Sequence, residues 1–219
     1  MFTIGINTGL NSSAVLMKDN KVIFGVQEER LSKIKNQPGF PTLAINAALK
    51  HASLQIEDID IFAVGGKNSK IAQSRQDDLD KFNNRYDKIK KKWFGESRNI
   101  FAEFAKKSLN KIQSVRSGKP NAAKTLDDYL SELGITKKHK RYDHHSCHAA
   151  AAYYGLSMDK SKHLVFCLDG GGDGRTSGVF VGENGKLSEI ACSDSFSPAC
   201  IYAHITYIMG FMPHEHEYK

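Results

Sequence analysis

Between Phe2 and Gln27 the chain alternates short apolar runs with polar turns, a pattern that points to consecutive antiparallel strands. Phe2-Thr3-Ile4-Gly5-Ile6 gives way to Gly9, Asn11, Ser12 and Ser13, and Ala14-Val15-Leu16-Met17 resumes the strand. Lys18-Asp19-Asn20-Lys21 reads as a tight turn, and Val22 to Gln27 as a third strand. Pro41 then opens a helix through Lys50, with Leu43, Ile45, Ala47, Ala48 and Leu49 on its apolar side. Ile59 to Val64 is the next strand and ends at Gly65-Gly66. A meander, a helix and a further strand point to an α/β protein with a mixed sheet and flanking helices.

Residues 67–117 interrupt that rhythm. Leu79, Phe82, Tyr86, Ile89 and Trp93 recur at helical spacing, as do Phe101, Phe104, Ala105, Leu109 and Ile112, with Phe94-Gly95-Glu96 between the two sets. This predicts a helical hairpin inserted into the main fold. Its outer face is basic: from Lys67 to Arg116 there are 14 Lys or Arg against 6 Asp or Glu, so the net charge of +7 resides in this segment. The main pattern resumes with a helix at 124–133, a strand at 139–143, a helix at 145–156 and a strand at 164–169. Thr176 to Val181 and Lys186 to Ser193 predict a hairpin turning at Glu183-Asn184-Gly185, and Pro198 to Met209 a last helix.

Composition sets the class. A chain of 219 residues with 40% hydrophobic and 25% charged content is ordinary for a globular protein. No run approaches the roughly eighteen apolar residues that a membrane span needs. The first sixteen residues lack the basic start of a signal peptide. Cys147, Cys167, Cys192 and Cys200 are too scattered for a disulfide scaffold, which fits the reducing cytoplasm.

The chemistry concentrates in Asp143-His144-His145-Ser146-Cys147-His148 and in Leu168-Asp169-Gly170-Gly171-Gly172-Asp173. Four residues apart on a helix, His144 and His148 project from one face and can share a metal ion. Asp169 closes the apolar run Leu164 to Leu168, which reads as a buried strand, so its carboxylate stands at a strand's carboxyl end, where open α/β sheets bind ligands. Two imidazoles and one carboxylate suit a divalent metal with positions left open. The competing reading makes His144 a helix cap and His148 a core histidine. Cys147 is either a fourth ligand or a small packing residue. The Gly/Ser/Asn turn at Asn11, Ser12 and Ser13 can present backbone N–H groups to a phosphate.

Three strands, a helix and a strand, followed by a second unit of strand, glycine-rich turn and hairpin, are similar to the actin-like, ribonuclease-H-like architecture. Within that order five segments together resemble the O-carbamoyltransferase family of the nodulation-factor and antibiotic-tailoring type. They are Gly5-Ile6-Asn7 with Gly9 to Ala14, and Val26 to Asn36 followed by Gly39-Phe40-Pro41; then His144 to Ala150 and Leu168-Asp169-Gly170; and finally Ile201 to Phe211 with Glu215-His216-Glu217-Tyr218-Lys219. The resemblance covers nearly the whole chain apart from the basic hairpin.

The resemblance implies a metal, iron, held by His144, His148 and Asp169. It implies a carbamoyl group made from carbamoyl phosphate and ATP, carried as carbamoyl-adenylate and passed to a hydroxyl of a small molecule. The metal would stabilise the anionic tetrahedral centre, with Asp169 as the catalytic carboxylate. Backbone amides at Gly170, Gly171 and Gly172 and around Asn11, Ser12 and Ser13 would hold the phosphate from two sides. Members are much longer, so residues 1–219 are expected to be the amino-terminal portion, completed by more of the same chain or by a second chain. Where members commonly carry a histidine in the first turn this chain has Leu10, which cannot exchange a proton. Glu28-Glu29-Arg30 is either part of the site or a charged strand end paired with Lys33 or Lys35, and His214-Glu215-His216 reads as an exposed tail. Other actin-like enzymes, such as a tRNA threonylcarbamoyl transferase relative or a small-molecule kinase, are the alternative. Nucleic acid is a less expected partner, because Trp93 continues an apolar stripe.

Overall fold

The computed structural model describes residues 1–9, 11–67, 71, 88, 125–135, 139–156, 161–195, 197–211, 213 and 216. Leu10, His214, Glu215, the Glu217-Tyr218-Lys219 segment and, except for Lys67, Ile71 and Lys88, the expected basic hairpin lie outside the described residues.

Strands β1 (Phe2–Asn7), β2 (Ser13–Lys18) and β3 (Lys21–Gln27) form the antiparallel meander that the sequence predicts. Asp19 and Asn20 both adopt positive φ in the β2–β3 turn, as a tight hairpin requires. Two elements had no sequence expectation: a short helix α1 (Glu28–Ser32) and a 3₁₀ turn at Ile56–Asp58. Helix α2 (Thr42–Ala52) crosses over to β4 (Ile61–Gly65), which lies parallel to β1 with Ile4 opposite Phe62 and Ile6 opposite Val64. Helix α3 (Leu126–Glu132) starts from a reciprocal cap between Thr125 and Asp128. β5 (His139–Tyr142) then adds parallel to β4. The order β3-β2-β1-β4-β5, three antiparallel strands continued by two parallel ones, is the ribonuclease-H-like half of an actin-like fold. Period-two alternation sends Ile4, Ile6, Ala14, Leu16, Phe62 and Val64 to one face, where α2 and α3 bury them with Ile45, Ala48 and Leu130.

A second meander follows helix α4 (His144–Gly155): β6 (His163–Gly172), β7 (Arg175–Glu183) and β8 (Lys186–Ser193), ordered β6-β7-β8, with helix α5 (Pro198–Ile208) after it. Asn184-Gly185 makes the β7–β8 turn with both residues at positive φ. Two expectations are corrected here. Residues 164–168 do not form a strand buried on both faces: Val165 and Cys167 pack under α4, but Leu164, Phe166 and Leu168 are 60–64% exposed because nothing described covers that side. β6 also does not end at Asp169. It runs on to Gly172, and the ladder with β7 breaks between Leu168 and Gly172, so Asp169 sits at a bulge. No helix among the described residues is long and apolar enough to cross a membrane.

Candidate metal centre

The parallel strands β1, β4 and β5 bring their carboxyl ends to one edge of the first sheet. Gly66 N–H donates to Tyr142 O (2.8 Å), and Asp143 turns the chain directly into α4. Asp143 is the N-cap, its Oδ1 accepting from Ser146 N–H at 3.0 Å, so the helix begins at His144, one residue earlier than expected. His144 therefore occupies the first turn, with His148 one turn further on. The β6 bulge meets them from the second sheet and turns the Asp169 carboxylate toward both rings.

His144 Nε2 lies 2.5 Å from Asp169 Oδ2 and 3.1 Å from His148 Nε2, and His148 Nε2 lies 3.5 Å from the same Oδ2. A metal about 2.1 Å from each of three donors holds neighbouring donors about 3.0–3.4 Å apart, depending on the bond angle. The two sides that meet at His148, 3.1 and 3.5 Å, are close to that size, and the 2.5 Å side is a direct hydrogen bond between His144 and Asp169 that would lengthen to admit a metal. The triangle also fits the donor chemistry of a two-histidine, one-carboxylate face. Among the described residues these three form a group whose ligand atoms converge, all within 4.8 Å of one another. Asp143, Asp169 and Asp173 surround His144 with negative charge, which favours a cation here. The hydrogen bond from His144, working against burial, holds the Asp169 carboxyl down at about 2, and the same bond raises the His144 imidazole.

Glycines let the helix come this close. A β-carbon at Gly172 would overlap the His144 ring, and one at Gly182 would overlap the Tyr153 ring. One at Gly178 would crowd Phe180 and stand 3.6 Å from His145 Cβ. Bare backbone at these positions allows α4 to lie against the second sheet. Tyr153 and Tyr154 complete the seating through the β7–β8 turn, Tyr153 Oη accepting from Gly185 N–H and Tyr154 Oη donating to Gly185 O.

The other expected residues are arranged less simply. Ser12 is fully buried, and its N–H and hydroxyl both donate to Gln37 O (3.0 and 2.9 Å), so neither is free for a phosphate. Asn11, at positive φ, stands at the tip of a turn that the Asn7 side chain ties together through Gly9 N–H and Asn11 O, and Ser13 begins β2. Gly170 N–H donates to Asp169 Oδ1 (2.6 Å), Gly171 adopts φ +142, and Gly172 carries the His144 ring. The α5 N-cap Ser197 donates its hydroxyl to Asp169 O, and Cys200 donates its thiol to Gly170 O. Cys147 is not in the convergent group. Its sulfur faces Gly65, and burial raises its thiol, which favours the packing role.

Glu28 is neither a site group nor paired with a lysine. It is buried, and its carboxylate accepts from Leu43 N–H (3.0 Å) and Ala44 N–H (2.8 Å), capping α2, whose own N-cap Pro41 offers no side-chain bond. Glu29 accepts from Asn36 N–H (2.7 Å) and lies 3.6 Å from Arg30. Three residues near the centre had no individual role expected from the sequence, although His145 and Asp173 lie within the two stretches it singles out. His145 is fully buried, and neither ring nitrogen has a hydrogen-bond partner among the described residues. Arg175 pairs with Glu189 (2.6 Å) and reaches Asp143 (3.7 Å). Asp173 accepts from His144 N–H; an Asp-Gly pair at a strand turn is the signal that marks it.

Similar proteins bound the reading. The chain is 27% identical over 221 residues to the uncharacterized protein sll1178 of Synechocystis sp., an alignment covering 95% of this chain and 32% of that protein. It is 26% identical over 206 residues to nodulation protein NolNO of Sinorhizobium fredii, covering 92% of this chain and 25% of that one. Among solved structures, component A of the Acidaminococcus fermentans (R)-2-hydroxyglutaryl-CoA dehydratase aligns over 96% of this chain and 55% of its own, with 15% identity and a TM-score of 0.46. The chain spans between 25% and 41% of the length of the relatives it matches. From β1 onward, residues 3–219 match the family described as Carbamoyltransferase N-terminus, with the His-x-x-x-His helix and the Asp169 bulge inside the match, and the chain belongs to that family.

Proposed function

We propose that this chain forms the metal-binding, acceptor-side part of an O-carbamoyltransferase, which moves a carbamoyl group from carbamoyl-adenylate to a hydroxyl of a small molecule. The observation that carries the reading is the convergence of His144 Nε2, His148 Nε2 and Asp169 Oδ2 where the two sheets meet. Family membership supplies the reaction class.

His144, His148 and Asp169 would hold one divalent metal, which the family resemblance makes iron. When bound, it supplies a Lewis acid for the carbamoyl or phosphate oxygen. The protein's own contributions are distinct. Asp169, ionised through the neutral range, supplies negative charge to the donor set. The i, i+4 spacing puts the two rings on one face of α4, and the glycines beneath the helix let that face come down to Asp169. In the transfer, the acceptor hydroxyl forms a bond to the carbamoyl carbon, the bond from that carbon to the adenylate oxygen breaks, and AMP departs. The hydroxyl proton goes to a base that leucine at position 10 cannot provide. Carbamoyl phosphate and ATP would feed the adenylate from the remainder of the enzyme, as further polypeptide or a second chain.

The test is metal stoichiometry. After anaerobic loading with Fe²⁺ and desalting, wild-type protein should carry close to one equivalent and His148→Ala less than about a tenth of that, because one of three ligands is gone. Equal metal in the two proteins would remove the reading's support.

A further inference from the structure

We infer that Asp173 is a positioning residue of the metal centre: its carboxylate clamps the first amide of α4 to the chain leaving β4, and so sets where the His144 ring meets Asp169. The inference rests on the proposed metal site for its consequence, and on hydrogen bonds across the two sheets for its geometry. Asp173 Oδ2 accepts from His144 N–H and from Lys67 N–H, both at 2.8 Å. Those donors lie 29 and 106 residues away in sequence, one on the helix that carries both histidines and one at the carboxyl edge of the first sheet.

Capping alone does not account for this carboxylate. α4 already has an N-cap in Asp143, which serves Ser146 N–H. Asp173 instead takes the amide of the ligand residue itself, fixing the backbone from which the His144 ring projects. The ring is then confined from the other side, because it lies against Gly172, the residue before Asp173. One turn of the second sheet thus supplies the floor for the His144 ring and the anchor for its backbone. The backbone conformation agrees. Asp173 adopts φ +50, ahead of Gly174 at φ +82, a region that glycine occupies at less cost. The left-handed residue here nevertheless carries a carboxylate, and that carboxylate is engaged by two amides.

The same conformation selects the variants. Asp173→Gly relieves the backbone while removing the clamp, Asp173→Asn keeps an acceptor oxygen without the charge, and Asp143→Ala removes the ordinary cap as a control. Titration of Co²⁺ into the full 219-residue chain, followed by its visible absorption, should show Asp173→Gly binding about 10–100-fold more weakly with an altered spectrum, as for other residues that orient a ligand. Asp173→Asn should recover most of the affinity. Asp143→Ala should lower the melting temperature while shifting affinity less than about threefold. Unchanged affinity in Asp173→Gly, or an equal loss in Asp143→Ala, would overturn the inference. If wild-type protein binds no Co²⁺, the metal reading fails, and amide exchange decides the clamp separately. The His144 and Lys67 amides should then exchange at least about tenfold faster in Asp173→Gly with Ser146 unaffected. No change at His144 and Lys67 would refute it.

Discussion

Each sheet contains a three-stranded meander, and the second hairpin of each turns on two residues at positive φ, Asp19-Asn20 in one and Asn184-Gly185 in the other. They are then finished differently. In the first, β1 is flanked on both sides by β2 and β4, and its inward residues pack into a core shared with α2 and α3. In the second, β6 is paired only with β7 among the described residues, and its outward apolar residues stay open. Where the first sheet meets its helices with Ile, Leu and Phe, the second meets α4 partly with glycine. Apolar side chains hold layers apart at a distance that suits stability. Glycine lets a helix descend until its imidazoles reach a strand's carboxylate. Stability should therefore reside mainly in the first sheet and chemistry on the second.

The largest effect expected from this division is on Phe62, fully buried between β1 and β5. Phe62→Ala should cost about 3–5 kcal/mol of unfolding free energy by denaturant titration, the range for truncating a core aromatic. A cost under about 1 kcal/mol would mean that the first sheet is not the stability centre. Glu28→Ala comes next. It leaves two α2 amides without an acceptor in a buried place, for about 1–3 kcal/mol. Glu28→Gln should cost less, since one amide oxygen can still accept. Equal costs for Ala and Gln would show that the carboxylate's charge, not its acceptor oxygens, is what matters.

Glu28 also shows what a sequence leaves hidden. The strands, the crossover helix and both hairpins were legible because alternation, Asn-Gly and Pro at a helix start are local signals. So was the triad, since a four-residue spacing places His144 and His148 on one face wherever the helix lies. The cap on α2 was not, because the donors Leu43 and Ala44 and the acceptor Glu28 come together only through the turn of α1. The one local hint is negative: Pro41 stands where a Ser, Thr or Asp would be expected. Ser12 misled for a related reason. A Gly/Asn/Ser turn reads as open amides, yet Gln37, 25 residues later, takes both its N–H and its hydroxyl. Leu164 to Leu168 misled because an all-apolar strand looks the same whether it is covered on one face or two.

Gly172→Ala tests the glycine side of the comparison. The new β-carbon would overlap the His144 ring, so the ring or the helix end must move. Overpacking of this kind costs about 1–3 kcal/mol. The sharper readout is the Fe²⁺ equivalent retained after desalting, which should fall with His144 displaced from Asp169. Gly182→Ala, which strikes Tyr153 at the far end of the same helix, should cost similar stability but leave more metal bound. Equal metal loss in both would mean that α4 shifts as a rigid unit and that Gly172 has no special place under His144.

The smallest effect is expected where residue type alone would suggest one of the largest. Phe166 lies within β6, as Phe62 does within β4, yet it is 64% exposed and points away from the Val165–Cys167 core. Phe166→Ala removes little contact and should change unfolding free energy by no more than about 0.5 kcal/mol, the usual range for a surface site. Phe62→Ala and Phe166→Ala therefore form a matched pair: the same substitution, within one strand of each sheet, with costs separated severalfold. Denaturant midpoints measured at two protein concentrations check it. A loss above about 2 kcal/mol at Phe166 that grows with concentration would show that the open face with Leu164 and Leu168 is covered in solution by another copy of the chain. In that case the second sheet draws stability from association, and the contrast between the sheets belongs to the isolated chain alone.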